Sequence, residues 1–167
     1  MSDPYTLRLY GNVMVTRWHS ASSPTIAARY MADLRAAKNS LHGAPMVGIG
    51  VFPDGFTPPD EATQQALKPH REEFESSVNS IHFIFEPPLP GAPPATPVWS
   101  LRITRMLSWM TRFLPMLKTR RSMSVAEALR DSRVRSSLPD SVVVAHAIRD
   151  GMIQSGPDIK TKESVRP

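Results

Sequence analysis

Two short apolar stretches, residues 46–52 (MVGIGVF) and residues 81–85 (IHFIF), decide the fold. Neither alternates apolar with polar side chains, and this pattern is typical of strands covered on both faces. Between them, residues 61–78 carry apolar side chains at helical spacing, with Pro69 inside the segment. Proline removes a backbone donor and clashes with the preceding turn, so we expect a kink or two abutting helices near Lys68.

The chain opens with a predicted hairpin followed by a helix. In residues 7–16, leucine or valine alternates with other side chains on either side of a Gly-Asn pair. This pattern indicates two short antiparallel strands joined by a tight turn. Ser23 and Pro24 then supply a helix N-cap and a proline at the first helical position. We expect this helix to end near Gly43, because glycine readily takes the left-handed conformation of a C-cap.

The second half of the chain completes the order of elements. We expect helices over residues 98–117, 124–133 and 140–153, and a short edge strand over residues 119–123. Ser124 and Glu127 have the spacing of a capping box. The full order is β-β-α-β-α-β-α-β-α with an extra helix. It predicts an α/β fold with a mixed, mostly parallel sheet of about five strands, an N-terminal hairpin and four to five covering helices.

Length and composition indicate how the chain is organised. At 167 residues it has the length of one domain, which we place at residues 1–153. Residues 86–97 (EPPLPGAPPATP) predict an extended, proline-rich loop insertion that acts as a stiff connector or, alternatively, as a docking site for a proline-recognising partner. The polar residues 154–167 predict a disordered tail.

Cysteine content and hydropathy bear on location. The chain contains no cysteine, which excludes a disulfide framework and thiol catalysis and is typical of a reducing cytosol. The first residues lack the features of a signal peptide. Arginines interrupt the most apolar stretch, so we expect no transmembrane segment. We therefore predict a cytoplasmic protein.

The net charge of +5 is unevenly distributed, since residues 101–167 hold thirteen basic and six acidic side chains. The helix predicted over residues 98–117 is amphipathic. Its apolar side carries Trp99, Ile103, Met106, Leu107, Trp109, Met110, Phe113 and Leu114, and its polar side carries Ser100, Thr104, Arg105, Ser108, Thr111 and Arg112. We expect Arg102 to lie within reach of a cation–π contact with Trp109.

The basic residues of this region are candidates for binding a partner or an anion: Arg102, Arg105, Arg112, Lys118, Arg120 and Arg121. Alternatively, the helix covers the sheet with its apolar side and its arginines are simply solvated. A helix of this composition can also lie in a membrane interface, but only if its apolar side is not part of the core.

Motifs that carry chemistry are missing from the sequence. The five histidines lie far apart and lack the spacing by which one element presents two metal ligands. Gly48 and Gly50 lie inside the apolar strand rather than after it, so we interpret them as points of close helix approach instead of a phosphate-binding loop. His82 is the remaining candidate for a catalytic group, although a core histidine fits the same pattern. We expect no cofactor, no metal and no enzymatic activity.

The order of elements resembles the STAS domain (sulfate transporter and anti-sigma factor antagonist) and its SpoIIAA-like relatives. The similarity rests on the MVGIGVF strand with the loop after it, on IHFIFE, and on the SMSVAEAL segment. In that family, the loop after the central strand carries a phosphorylatable Ser or Thr that switches partner binding. Here the corresponding loop residues are Asp54, Phe56, Thr57 and Asp60, without the family's usual Asp-Ser-small-Gly arrangement.

The resemblance implies a regulatory module that binds another protein, or a second copy of itself as a homodimer, through residues 52–60. An alternative is a module that binds an anionic lipid headgroup or a nucleotide through the basic helix. A second alternative is an enzyme of unrecognised type with a site near His82 or the strand ends. We do not expect nucleic acid as a partner.

Overall fold

The sheet has five strands. The computed structural model of the chain describes residues 2–87, 97–117 and 120–154. Strand order follows the sequence, with β1 and β2 antiparallel and all other neighbours parallel. The strands are β1 (Tyr5–Tyr10), β2 (Val13–Trp18), β3 (Val47–Phe52), β4 (Ser80–Phe85) and β5 (Arg120–Arg121). The predicted α/β class, the hairpin and the mostly parallel sheet are confirmed.

Helices cover both faces of the sheet. In the described residues they are α1 (Pro24–Ser40), α2 (Glu61–Leu67), α3 (Arg71–Ser77), α4 (Pro97–Phe113), α5 (Val125–Asp131) and α6 (Asp140–Arg149). One apolar cluster packs α1, α3 and α4 on one face, and a second packs α5 and α6 on the other. A 3₁₀ turn, Lys68–His70, separates α2 from α3, which confirms the interruption expected at Pro69.

Strand β3 lies at the centre of the sheet and all six of its residues are buried. Its two glycines allow side chains to lie directly on the strand. A Cβ atom at Gly48 would lie 2.9 Å from Cγ1 of Val78, at the end of α3, and one at Gly50 would lie 2.9 Å from Cδ1 of Phe83. The expected helix approach therefore holds near Gly48, whereas at Gly50 the close neighbour is a ring from the adjacent strand.

The predicted caps of α1 and α5 are present. Ser23 accepts a hydrogen bond from the Ile26 amide at 3.3 Å, and Ser124 accepts one from the Glu127 amide at 3.1 Å. After α1 the chain turns through Gly43, whose φ of +88° is in the left-handed region that glycine tolerates. Local sequence signals thus fix these helix ends.

Several elements are shorter than the sequence predicted. Helix α4 ends at Phe113 rather than residue 117, because a residue preceding a proline, here Pro115, disfavours the helical conformation. Helix α6 ends at Arg149, just before Gly151 adopts a φ of +69°. Strand β5 contains two residues only. Residues 88–96 of the proline-rich loop and residues 155–167 of the tail lie outside the described residues.

A buried ion pair joins the ends of β2 and β4. Arg17 Nη2 lies 2.8 Å from Glu86 Oε2, and the two side chains are 14% and 6% exposed. This contact lacks the alignment of a hydrogen bond. Glu86 Oε1 accepts a hydrogen bond from the Gln154 amide at 2.8 Å, and Arg17 donates to the Met152 carbonyl at 3.3 Å. The pair therefore fastens the chain after α6 to the sheet.

Candidate functional site

An aromatic cavity of about 90 Å³ lies on the face of the sheet that carries α1, α3 and α4. Its lining includes the last residues of β2 and β3, Trp18 and Phe52, and the α4 residues Met106, Trp109 and Met110. Because β2, β3 and β4 are parallel, their carboxyl ends meet at one edge of the sheet. The lining also includes Gly48 and Ile81, near the amino ends of β3 and β4, so the cavity extends along these strands.

Stacked rings close one side of the cavity. Phe52 stacks on Phe85 with centroids 5.3 Å apart, and Phe56 lies 5.5 Å from Phe52 and 5.1 Å from Phe85. Trp109 stacks on Phe113 at 5.1 Å. These contacts hold the loop that carries Phe56 against the carboxyl ends of the strands.

The lining of the aromatic cavity contains no charged side chain among the described residues. Ser20, Ser22 and Thr57 contribute hydroxyl groups to it, and Ser20 and Thr57 are exposed to solvent. Burial raises the pKa of Tyr30 to about 12, although the neighbouring Thr16 hydroxyl acts in the opposite direction. The Tyr30 side chain is therefore neutral near pH 7.

The four predicted loop residues divide into two groups. Phe56 is buried in the ring cluster. Asp60 caps α2 by accepting a hydrogen bond from the Thr63 amide at 2.8 Å, and hydrogen bonding with the Thr63 side chain and amide lowers the pKa of Asp60. Asp54 and Thr57 are exposed. Phe56 and Asp60 therefore have structural roles, whereas Asp54, Thr57 and Asp60, which is also exposed, are accessible to a partner.

The predicted orientation of α4 is confirmed. Its residues Ile103, Met106, Met110 and Phe113 are buried in the core. Arg105 and Arg112, seven residues apart, are exposed on the opposite side, and Arg102 is half-buried between the two sides. The membrane-interface alternative required a free apolar side, whereas in the described part of α4 that side is buried in the core.

The remaining predicted basic residues do not gather in one place. Arg121 lies over the Phe85 ring, with 6.0 Å between its guanidinium carbon and the ring centroid, so it is beside the loop. Arg120 pairs in register with His82 and Arg121 with Phe83, so the side chains of the two arginines lie on opposite faces of the sheet. Lys118 lies outside the described residues. The cation–π contact predicted between Arg102 and Trp109 is thus replaced, among the described residues, by one between Arg121 and Phe85, and Trp109 stacks on Phe113.

Few acidic groups are available to neutralise the α4 arginines. Residues 87–126 contain no Asp or Glu. Within the described residues, neither Arg105 nor Arg112 has a carboxylate at ion-pair distance, and Arg112 Nε donates instead to the Ser108 carbonyl at 3.3 Å. This side of the molecule therefore presents positive charge to solvent.

His82 has the environment of a core histidine. It is 1% exposed, and its ring nitrogens lie 3.1 Å from the hydroxyls of Ser80 and Ser122. Burial and the positive charge of Arg120 lower its pKa, so the ring is neutral near pH 7. It does not line the aromatic cavity.

The described residues contain no group of three or more side chains that could hold a metal ion. In the same residues, every helix is too short or too polar to cross a bilayer.

Comparison with protein-family models, with curated proteins and with solved structures gives no match to this chain. Its candidate site must therefore be interpreted from its own chemistry. The aromatic cavity was not predicted from the sequence, yet a signal for it exists: the last residues of β2, β3 and β4 are Trp18, Phe52 and Phe85. Three aromatic residues at the carboxyl ends of parallel strands predict an aromatic cluster at that edge.

Proposed function

We propose that this chain is a non-enzymatic regulatory module of STAS-like topology that binds another protein or a second copy of itself. Binding occurs through a recognition surface formed by Asp54 and Thr57 of the loop, Arg105 and Arg112 of α4, and Arg121 of β5. The observation that carries the proposal is the meeting of loop and α4 at the same cavity, with exposed groups of both facing solvent.

The charges of the recognition surface favour an acidic partner. Arg105 and Arg112 have no acidic neighbour at ion-pair distance among the described residues, so association with carboxylates of a partner does not require an internal ion pair to break. Arginine suits this role because its planar guanidinium binds a carboxylate through two hydrogen bonds. Complementary charge also steers encounter and makes the association rate depend on salt.

The proposal is tested by photo-crosslinking of the full chain in its host cell. A photoreactive residue is placed at Thr57, at Arg105 or at the control position Ala126, which is exposed on α5 across the sheet. We expect the same crosslinked species from Thr57 and Arg105 and none from Ala126. A species twice the 18.6 kDa mass of the chain would identify the partner as a second copy.

Charge reversal makes this test specific. Arg105→Glu with Arg112→Glu should abolish the Thr57 crosslink, whereas Arg130→Glu with Arg133→Glu, at exposed arginines near α5, should leave it intact. Crosslinking that is equal from Ala126, or unaffected by reversal at Arg105 and Arg112, would contradict the proposal.

A second candidate function is binding of an anionic lipid headgroup or a nucleotide. The absence of acidic residues from 87–126 favours it, since the same positive charge attracts any anion. It predicts sedimentation with phosphatidylcholine vesicles only when they contain phosphatidylserine, or saturable binding of a nucleoside triphosphate, with loss of either in high salt. Binding to these probes without a crosslinked protein would favour this function over the first.

A further inference from the structure

We infer that the aromatic cavity is a binding site for a small uncharged ligand with a flat or slender apolar body, the size of a single aromatic ring or a short aliphatic chain. The cavity borders the recognition surface at Thr57, and the inference goes beyond the function proposed above because the ligand is a small molecule bound inside the fold. The ligand would lie between the carboxyl ends of the strands and the buried side of α4.

The lining determines the charge of the ligand. An ion that enters the cavity loses its hydration, and no charged residue of the lining replaces it. Such a transfer is strongly unfavourable, whereas an apolar group gains from leaving water. The hydroxyl groups of Ser20, Ser22 and Thr57 can hydrogen-bond one neutral polar group at the solvent side. Phosphates and carboxylates are therefore excluded from this cavity.

The volume determines the size of the ligand. Apolar protein cavities of about 150 Å³ stay dry and bind benzene. The aromatic cavity is smaller, at about 90 Å³, so it accepts a chain of a few carbons directly and accepts one ring when side chains of its lining shift. Met14, Met106 and Met110 contribute flexible side chains to the lining, and such side chains adapt to the shape of a ligand.

The position of the cavity also favours ligand binding over a packing defect. Protein interiors are close-packed, and voids larger than a water molecule are few. This one is bordered by the loop after β3 and by the exposed hydroxyl groups of Ser20 and Thr57, and ligand pockets are typically apolar clefts with a few such polar groups.

The test uses benzene and benzoate as probes of the same ring with and without charge. Each is titrated into the isotopically labelled full chain while the indole N–H signals of Trp18 and Trp109 are followed by NMR. We expect saturable shifts of both signals with benzene, and binding of benzoate weaker by about tenfold or more. Absence of saturable shifts with benzene, or equal binding of benzoate, would overturn the inference.

Two variants tie the shifts to the cavity. Ala27→Leu fills the cavity, since Ala27 is 2% exposed and belongs to the lining, and it should weaken benzene binding by about tenfold or more. Ala28→Leu makes the same change on the exposed side of α1 and should leave binding unchanged. Equal affinities of these two variants would contradict the assignment.

Met110→Ala changes the cavity volume in the opposite direction and serves as a control in case Ala27→Leu does not fold. Met110→Ala enlarges the cavity and should preserve or tighten benzene binding; loss of binding by a folded Met110→Ala protein would overturn the inference. The result is independent of the crosslinking experiment, because benzene titration does not involve the exposed arginines. A failure of one proposal is thus distinguishable from a failure of the other.

Discussion

Removal of one partner from the Arg17–Glu86 ion pair should destabilise the protein strongly. Breaking a buried pair costs about 3–5 kcal/mol because an uncompensated charge remains in a low-dielectric site. Arg17 keeps 14% of its side chain in solvent, so we place the cost of Glu86→Gln near the lower end, at about 3 kcal/mol. With an m-value of about 2 kcal/mol/M, the urea midpoint should fall by about 1.5 M.

The assay is equilibrium urea unfolding followed by tryptophan fluorescence, for Glu86→Gln, for Arg17→Met and for the double variant. The double variant should be more stable than the sum of the single effects predicts, by at least about 1.5 kcal/mol, because it leaves no isolated charge. Asp3→Asn is the matched control: it removes the exposed contact of Asp3 with Arg29 at 3.2 Å and should cost about 0–1 kcal/mol. Additive single effects, or a Glu86→Gln cost no larger than that of the control, would refute the reasoning.

Two further predictions concern the buried strands. Gly50→Ala should destabilise the protein by about 1–2 kcal/mol, because the new Cβ would lie 2.9 Å from the Phe83 ring, and Phe83→Leu should restore part of the loss in urea unfolding; stability at or above that of the wild type would rule out the close contact. Because the pKa of His82 is lowered in the fold, the unfolded chain binds its proton first as the pH falls below about 6.5. The contribution of His82 to the free energy of unfolding should therefore be constant above about pH 7 and decrease below about pH 6.5, by at most about 1.4 kcal/mol per pH unit. His82→Gln should remove that contribution in urea unfolding between about pH 7.5 and about pH 5.5, and identical slopes for the two proteins would show that His82 does not cause it.

Local patterns were sufficient to predict the sheet. The apolar run that forms β3 and the capping signal at Ser23 each involve only residues that are close together in the sequence. The sequence alone is therefore sufficient to recognise them. The extent of α4 was overestimated because its amphipathic pattern continues beyond Phe113, whereas Pro115 ends the helix through a steric effect on the preceding residue.

The candidate site was predictable only in part. The outward position of Arg105 and Arg112 follows from helical periodicity. Strand alternation places Arg120 and Arg121 on opposite faces, but which face each one takes depends on the register of β5 against β4. The aromatic cavity requires the strand ends, the loop and α4 to be placed together in space. Arg17 and Glu86 are 69 positions apart in the sequence, and no local signal connects them.

The orientation of α4 is the claim on which the recognition surface and the aromatic cavity both depend. The chain contains no cysteine, so a single introduced thiol reports on its own position. The rates at which a maleimide modifies Arg105→Cys and Met106→Cys should be compared under native conditions. Arg105 is exposed and Met106 is 5% exposed, so the first should react as rapidly as an unfolded control and the second at least about 100-fold more slowly, as expected for an opening free energy of about 2.7 kcal/mol. Equal rates for the two thiols, or faster reaction at position 106, would contradict this orientation.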